Sequence, residues 1–215
     1  MPKTSTKNTD KIKEPGFAIE PEEMDLTSVE DYRCDNGMFV NACIEQDLED
    51  HGFYECIFKN CEWKRGQNGI AFRDVILTGC DFSNINFDET VCHRVVFRNC
   101  RFTGTDLTRS TLEDTVFENC NLVYANFSGS KMKRCRITDT VAKEAAFAMC
   151  DLQHMSFGRC DLSGCEFFDT KLQGIDLSDS EIDGIQVGPD TLKGVIVNEE
   201  QAIACAKILE IVVKR

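Results

Sequence analysis

From Phe72 to Val197 every fifth residue is apolar, and that period constrains the fold more than any other feature of the chain. The frame reads Phe72, Leu77, Phe82, Phe87, Cys92, Phe97, Phe102, Leu107, Leu112, Phe117, Leu122, Phe127 and Met132. It runs on through Ile137, Ala142, Phe147, Leu152, Phe157, Leu162, Phe167, Leu172, Leu177, Ile182, Val187, Leu192 and Val197. Two residues before many of these sits a smaller side chain, as at Cys80, Val95, Cys100, Thr105, Cys120, Ala125, Ser130, Cys150 and Cys160. A helix repeats about every 3.6 residues and a strand about every 2, so neither sustains a period of five. A short fixed period marks a solenoid, whose units bury their apolar faces only by stacking on their neighbours.

In an extended segment, residues i and i−2 face one side and i−1 faces the other. The i−1 residues are polar at Asp81, Asn86, Arg101, Asp106, Asp151, Asp161, Glu166, Asp176 and Glu181. Gly or Asn recurs two residues after the apolar position (Gly79, Asn84, Asn99, Gly104, Asn119, Gly129), as a corner once per five residues requires. Cys80, Cys100, Cys120 and Cys160 are separated by multiples of 20, as are Phe127, Phe147 and Phe167. Four corners per coil would stack each set in a column. The expected fold is therefore an all-β solenoid, a quadrilateral β-helix of about eight coils and roughly 38 Å at ~4.8 Å per coil.

An earlier block reads Met38, Cys43, Leu48, Phe53, Phe58 and Trp63. Its small positions begin poorly (Asn36, Asn41, Gln46, His51) and improve at Cys56 and Cys61, which fits a fraying end or a cap. From Trp63 to Phe72 the frame breaks across Lys64, Arg65, Gly66, Gln67, Asn68 and Gly69. Two glycines, an Asn-Gly pair and two cations predict a protruding or bulged loop, either a bland deletion or a partner contact. Residues 1–30, poor in apolar side chains, are expected to be a disordered tail, with repeats over 31–197. Asn198 with Gln201 three residues later predicts a capping box and a helix from Glu199 to about Leu209. Ala202, Ile203, Ala206 and Leu209 would share one helix face. With Ile211 and Val213 on the following tail they exceed what a cap needs, so 198–215 is expected to be a self-association surface.

The chain holds 37 acidic against 24 basic residues, a net charge of −13, which disfavours direct binding of nucleic acid or an anionic membrane face. Eight acids against one base, Lys171, fall between Asp161 and Asp190: Asp161, Glu166, Asp169, Asp176, Asp179, Glu181, Asp183 and Asp190. They are either a solvated face or a surface that steers a cationic groove. Thirteen cysteines would suit a disulfide scaffold, yet Cys56, Cys61, Cys80, Cys100, Cys120, Cys135, Cys150, Cys160 and Cys165 all occupy the small inward position. There they act as small hydrophobes, so the expectation is reduced thiols and a cytoplasmic protein. No apolar run is long enough to span a bilayer. His51, His93 and His154 are scattered, the cysteine spacings do not suit zinc, and no nucleophile or phosphate motif occurs, so no catalysis, metal or cofactor is expected.

The units Cys80-Asp-Phe-Ser-Asn, Thr105-Asp-Leu-Thr-Arg, Cys120-Asn-Leu-Val-Tyr, Ala125-Asn-Phe-Ser-Gly, Cys150-Asp-Leu-Gln-His and Cys160-Asp-Leu-Ser-Gly resemble the pentapeptide-repeat family over roughly 36–197. That resemblance implies a right-handed, four-sided β-helix. A narrower resemblance, to the Qnr group of quinolone-resistance proteins, rests on three features. They are the frame break at 64–69, Leu192-Lys-Gly-Val-Ile-Val, and the helix Gln201-Ala-Ile-Ala-Cys-Ala-Lys-Ile-Leu. It implies a head-to-head homodimer through the terminal helix. It also implies an acidic rod that mimics duplex DNA and binds a bacterial type II topoisomerase, DNA gyrase or topoisomerase IV. On that resemblance the segment Lys64–Gly69 would contact the topoisomerase, and the acids from Asp161 to Asp190 would be the DNA-mimicking surface.

Overall fold

The computed structural model describes residues 11–26, 32–46 and 48–214, and they form a β-solenoid closed by one C-terminal helix. Short strands at Arg33–Asp35, Gly37–Val40, Cys43–Ile44, Gly52–Tyr54, Ile57–Lys59 and Glu62–Trp63 lead into three eight-residue strands, Ala71–Thr78, Val91–Arg98 and Thr111–Glu118. Three-residue strands follow at Lys131–Lys133, Arg136–Thr138, Asp151–Gln153 and Ser156–Gly158. Every pairing among the described strands is parallel, and from Arg33 onwards each joins a strand to the one a full circuit later, so the circuit itself is the crossover that parallel strands need.

The registers set the circuit length. Phe72 pairs with Cys92, Cys92 with Leu112, Leu112 with Met132 and Met132 with Leu152, each step 20 residues. Before Phe72 the step is 19: Cys34 pairs with Phe53, and Phe53 with Phe72. The strand ladder thus links Cys34 to Leu152 through six circuits. Beyond it the stacking continues as single bridges, Val141 to Asp161, Asp161 to Glu181 and Asp176 to Ile196.

The inward frame from Phe72 to Val197 is buried throughout, except that Leu152, Leu192 and Val197 are half-buried against the core. Because coils are about 4.8 Å apart, identical rings in register must stack. Phe82 and Phe102 lie 4.6 Å apart, Phe97 and Phe117 4.9 Å, Phe127 and Phe147 5.0 Å, and Phe147 and Phe167 5.3 Å between centroids.

The small inward position has a polar duty as well. Cys120 Sγ donates to Phe97 O at 3.5 Å, Cys135 Sγ to Leu112 O at 3.3 Å, and Cys160 Sγ to Ile137 O at 3.3 Å, each 23 residues earlier. Thr105 Oγ1 does the same to Phe82 O (2.7 Å) and Ser130 Oγ to Leu107 O (2.9 Å). A small side chain with one donor fills the slot and caps a carbonyl of the preceding coil, which is why Cys, Ser and Thr interchange there. All thirteen cysteines are free thiols in the structure. Burial pushes Cys135 and Cys165 up to about 12 and Cys150 to about 11, so these thiols stay protonated and inert.

Corners are made by left-handed residues. Every second residue after the inward frame has positive φ from Asp74 to Gly174, including Arg94 (55°), Glu144 (54°) and Met149 (56°) as well as glycines and asparagines. That region disfavours any residue with a Cβ except Asn and Asp. The ladder bonds on both sides of each corner hold it there.

Three expectations need correction. In the first block the buried residues are Phe39 and Ile44, whereas Met38 is half-buried and Cys43 exposed. Asn36 and Asn41 are therefore corner residues (φ 57° and 53°), not poor inward ones. Secondly, each early circuit is one residue short at the same corner. Ile44 is followed by Leu48 and Trp63 by Gln67 on the inward face, four residues on instead of five.

Thirdly, the expectation of a disordered tail over 1–30 fails for 11–26; residues 1–10 and 27–30 lie outside the described residues. Segment 11–21 runs along the rod against the direction of coil progression. Lys13 N–H donates to Asp114 Oδ1 (3.1 Å), Gly16 N–H to Asp74 Oδ1 (3.1 Å) and Ala18 N–H to Glu55 Oε2 (2.5 Å). Asp114, Asp74 and Glu55 are corner residues of one column. Glu22–Glu23 then pairs in parallel with Gly37–Met38, and Leu26 is buried in the end of the core.

Candidate interaction surface

The segment 64–69 lies flush with the rod. Lys64 N–H donates back to Ile44 O (3.0 Å), while Gln67 N–H reaches forward to Asn86 O (2.7 Å) and Gly69 N–H to Asp88 O (3.0 Å). Asn68 O accepts from Asp50 N–H at 3.1 Å. Stitched to both neighbouring coils, this turn does not protrude, contrary to the expectation of a projecting or bulged loop. Gly69 has φ 68°, and a Cβ there would stand 2.4 Å from Asp50 Oδ1, so the position favours glycine unless the Asp50 side chain moves. Gln67 is wholly buried in an inward slot, and its side chain bonds the backbone of the coil before. Lys64, Arg65, Gly66 and Asn68 are exposed; Lys64 pairs with Glu62.

The eight acids from Asp161 to Asp190 are distributed around the rod. Asp161 and Glu181 stack in one column, Glu166 lies in the next, and Asp176 and Asp179 flank another face. Together they make a collar on the last coils. Earlier coils neutralise their acids across one circuit: Arg94 with Asp74, Arg98 with Glu118, Arg101 with Asp81, Arg109 with Asp88, Arg134 with Asp114 and Arg159 with Asp139. In the collar only Asp161 makes an ion pair among the described residues, to Lys143 at 3.0 Å. Burial would raise the Asp161 carboxyl, but bonds from Ser163 and the Lys143 charge outweigh it and hold it low. Hydrogen bonds from Ser178 lower Asp176 similarly. Among the described residues the collar is therefore without ion-pair partners over most of its extent.

The helix α1 spans Glu199–Ile208 and begins with the expected capping box, Asn198 Oδ1 accepting from Gln201 N–H (3.0 Å) and Gln201 Oε1 from Asn198 N–H (2.9 Å). The same two amides fix it to the last coil. Asn198 Nδ2 donates to Ser178 O (2.9 Å), and Gln201 Nε2 to Leu177 O (2.9 Å) and Ser180 O (2.6 Å). Of the residues expected at a self-association surface, Ala202, Ile203, Leu209, Ile211 and Val213 are exposed and Ala206 is half-buried. Ile208 and Val212 join them. The helix is thus held by these polar contacts and by Cys205 packed against the core, and it leaves Ile203, Ile208 and Leu209 exposed beside the collar.

Sequence reasoning missed one surface. The residue before the inward frame is mostly polar on the other faces, where apolar exceptions such as Val91, Val141 and Ile196 stay exposed, but on one it reads Met38, Ile57, Ile76, Val96 and Val116, which the ladder aligns in a single column. Val96 and Val116 are 2% exposed although they point outward and are not part of the core. The signal lay in the sequence as the apolar pairs Val75-Ile76 and Val95-Val96 and as Val116 after Thr115, where an apolar residue takes a position that is polar at most other repeats.

A family model of the pentapeptide repeat region matches residues 70–147 and 112–187, more than half of the chain. The chain belongs to the pentapeptide-repeat family. No curated protein matches it. Among solved pentapeptide-repeat structures it is similar to a trypsin-treated form of QnrB1, described as a plasmid-mediated fluoroquinolone resistance protein. The identity is 18%, covering 82% of this chain and 97% of that one, with a TM-score of 0.38. HetL, a protein involved in heterocyst differentiation regulation in the cyanobacterium Nostoc, is 17% identical over 78% and 90% of the two chains, TM-score 0.36. A thylakoid-lumen pentapeptide-repeat protein of Arabidopsis thaliana is 16% identical over 61% and 74%, TM-score 0.33.

Proposed function

We propose that this pentapeptide-repeat protein is a non-catalytic, cytoplasmic mimic of duplex DNA. It would bind a bacterial type II topoisomerase, gyrase or topoisomerase IV, and so lower quinolone susceptibility. The rod is read as a right-handed, four-sided helix of about eight coils that dimerises head to head through α1. The observation that carries this reading is the adjacency of the uncompensated acidic collar to the exposed apolar helix. Two copies joined at α1 would merge their collars into one continuous anionic band, the charge distribution that a cationic DNA-binding groove selects. Lys64 and Arg65 would meet the partner from a flat turn. The test is supercoiling by purified gyrase with ciprofloxacin, with and without this protein. Rescue or inhibition is expected; no effect and no binding up to tens of micromolar protein would overturn the reading.

A second reading, a scaffold for an unrelated protein partner, draws support from the flush 64–69 turn, which offers no projecting loop to a topoisomerase. Under it, the rod would bind neither gyrase nor topoisomerase IV in a pull-down.

A further inference from the structure

The apolar column Met38–Ile57–Ile76–Val96–Val116 and the strap 11–18 belong together. An outward-pointing valine on a solenoid face loses its water only beneath something laid on that face. The column of corner residues beside these valines is where the strap is anchored, at Asp114, Asp74 and Glu55. The strap is extended along the rod axis. Lys13 and Gly16, three residues apart, span about 10 Å, and their acceptors, 40 residues apart, lie two coils or about 10 Å apart. Its apolar residues Ile12, Pro15 and Phe17 are half-buried, whereas Ile19, just past the last anchor, is 65% exposed.

How the strap is held differs from how the rod is held. Rod backbone bonds backbone in continuous ladders, but from Lys13 to Ala18 the anchors described are single N–H groups given to side-chain carboxylates. Two of the three carboxylates are fixed independently of it: Asp74 takes a two-pronged bond from Arg94 and Asp114 one from Arg134. Two of the receptor's three anchor points thus stand without the occupant, the arrangement of a binding groove and its ligand.

We propose that this face is a docking groove for an extended polypeptide lying along the rod, and that residues 11–18 are a built-in occupant which a partner segment displaces. The partner segment has the strap's own chemistry. It presents N–H groups two or three residues apart to the carboxylates of Glu55, Asp74 and Asp114, and apolar side chains to the Ile76–Val96–Val116 column. It carries lysine rather than acid near Asp114, where Lys13 now sits. This groove lies on the early and middle coils, apart from the acidic collar, so it stands whether or not the topoisomerase reading does.

The test uses the full-length protein with a protease site installed between Ile19 and Glu20, cut after folding. A fluorescent peptide of residues 8–19 should then exchange into the groove one-for-one, saturating below about 1 mM, the scale of effective concentration a short tether supplies. Val116→Glu, and separately Phe17→Glu in the peptide, should each weaken that binding by at least about tenfold, with the rod's melting temperature unchanged by the peptide variant. In uncut protein, the Lys13, Gly16 and Ala18 amides should exchange hydrogen orders of magnitude faster than those of Val95 or Val116. The proposal is overturned if the cut segment refuses exchange over days, or if its release abolishes the rod's melting transition. Equal binding by the Phe17→Glu peptide would also overturn it. Exchange seen only within a dimer of swapped straps would assign the groove to a second copy and overturn the partner.

Discussion

The buried Gln67 amide oxygen accepts the Leu48 N–H at 2.5 Å, one coil back, while its nitrogen donates to Gln46 O at 2.8 Å. Both early circuits drop a residue at this corner, and neither Gln46 nor Arg65 takes the left-handed conformation that other corners adopt. The shortened corner leaves an N–H and a C=O without the usual partners, and an amide in the inward slot supplies both. Gln67→Leu keeps the volume and fits the apolar frame, yet it should destabilise the rod by about 1–3 kcal/mol by orphaning the buried Leu48 N–H and removing the bond to the Gln46 carbonyl. Urea unfolding measures this; a midpoint equal to or above wild type would show that the amide is not needed.

Asp114 is wholly buried, and its carboxyl is pulled two ways. Burial raises it, but the Arg134 fork, the Lys13 N–H and the Arg134 charge together bring it below the ordinary carboxylate value. A folded-state value below the unfolded one gives stability that is full above about pH 4 and is lost as pH falls through the folded value. Arg134→Met removes the compensation and leaves the burial, so the sign reverses. The variant should lose about 3–5 kcal/mol at pH 7 and recover part of it as pH falls towards 4. Thermal melts from pH 7 to 4 decide this: parallel losses in both proteins would mean that Asp114 is not the titrating group.

Phe147 stacks between Phe127 and Phe167 with interplanar angles of 2° and 9°, and Phe157 meets it edge-on at 5.7 Å. Phe147→Ala would interrupt the column at its middle and cost about 3–5 kcal/mol, whereas Phe147→Leu should cost distinctly less because leucine already serves at equivalent inward sites such as Leu107. Equal losses for the two variants, read from denaturant midpoints, would argue against ring stacking as the source.

Most of this rod was legible because its two signals, inward period and corner residue, repeat so often that a few exceptions do not hide them. The first block shows where that redundancy ends. Met38 and Phe39, like Cys43 and Ile44, are both apolar, so periodicity alone did not choose between two frames one residue apart. Asn36, Asn41 and Asn60, read as corners, would have chosen correctly. Gln67 was hidden because a polar residue in an apolar slot looks like a break until its backbone partners are known. The strap was hidden for a different reason. Its contacts are with residues up to 101 positions away, and its low apolar content reads as a tail when the groove that receives it is unseen.

The proposed dimer turns on whether α1 acts as a cap or as an interface, and its anchoring separates the two. The cap function resides in Asn198 and Gln201, whose amides bond Ser178, Leu177 and Ser180; the exposed Ile203, Ile211 and Val213 take no part in it. Ile203→Glu combined with Ile211→Glu should therefore leave the melting temperature of the rod within a few degrees of wild type. The same pair would place charge at the centre of an apolar interface, weakening association by about a hundredfold or more. Light scattering at micromolar concentration should then report a dimer for the wild type and a monomer for the variant. A variant that stays dimeric would move the interface elsewhere and separate the two collars. Gln201→Ala completes the comparison: by loosening the helix on its coil it should lower both the melting temperature and the dimer affinity, which the double glutamate variant does not.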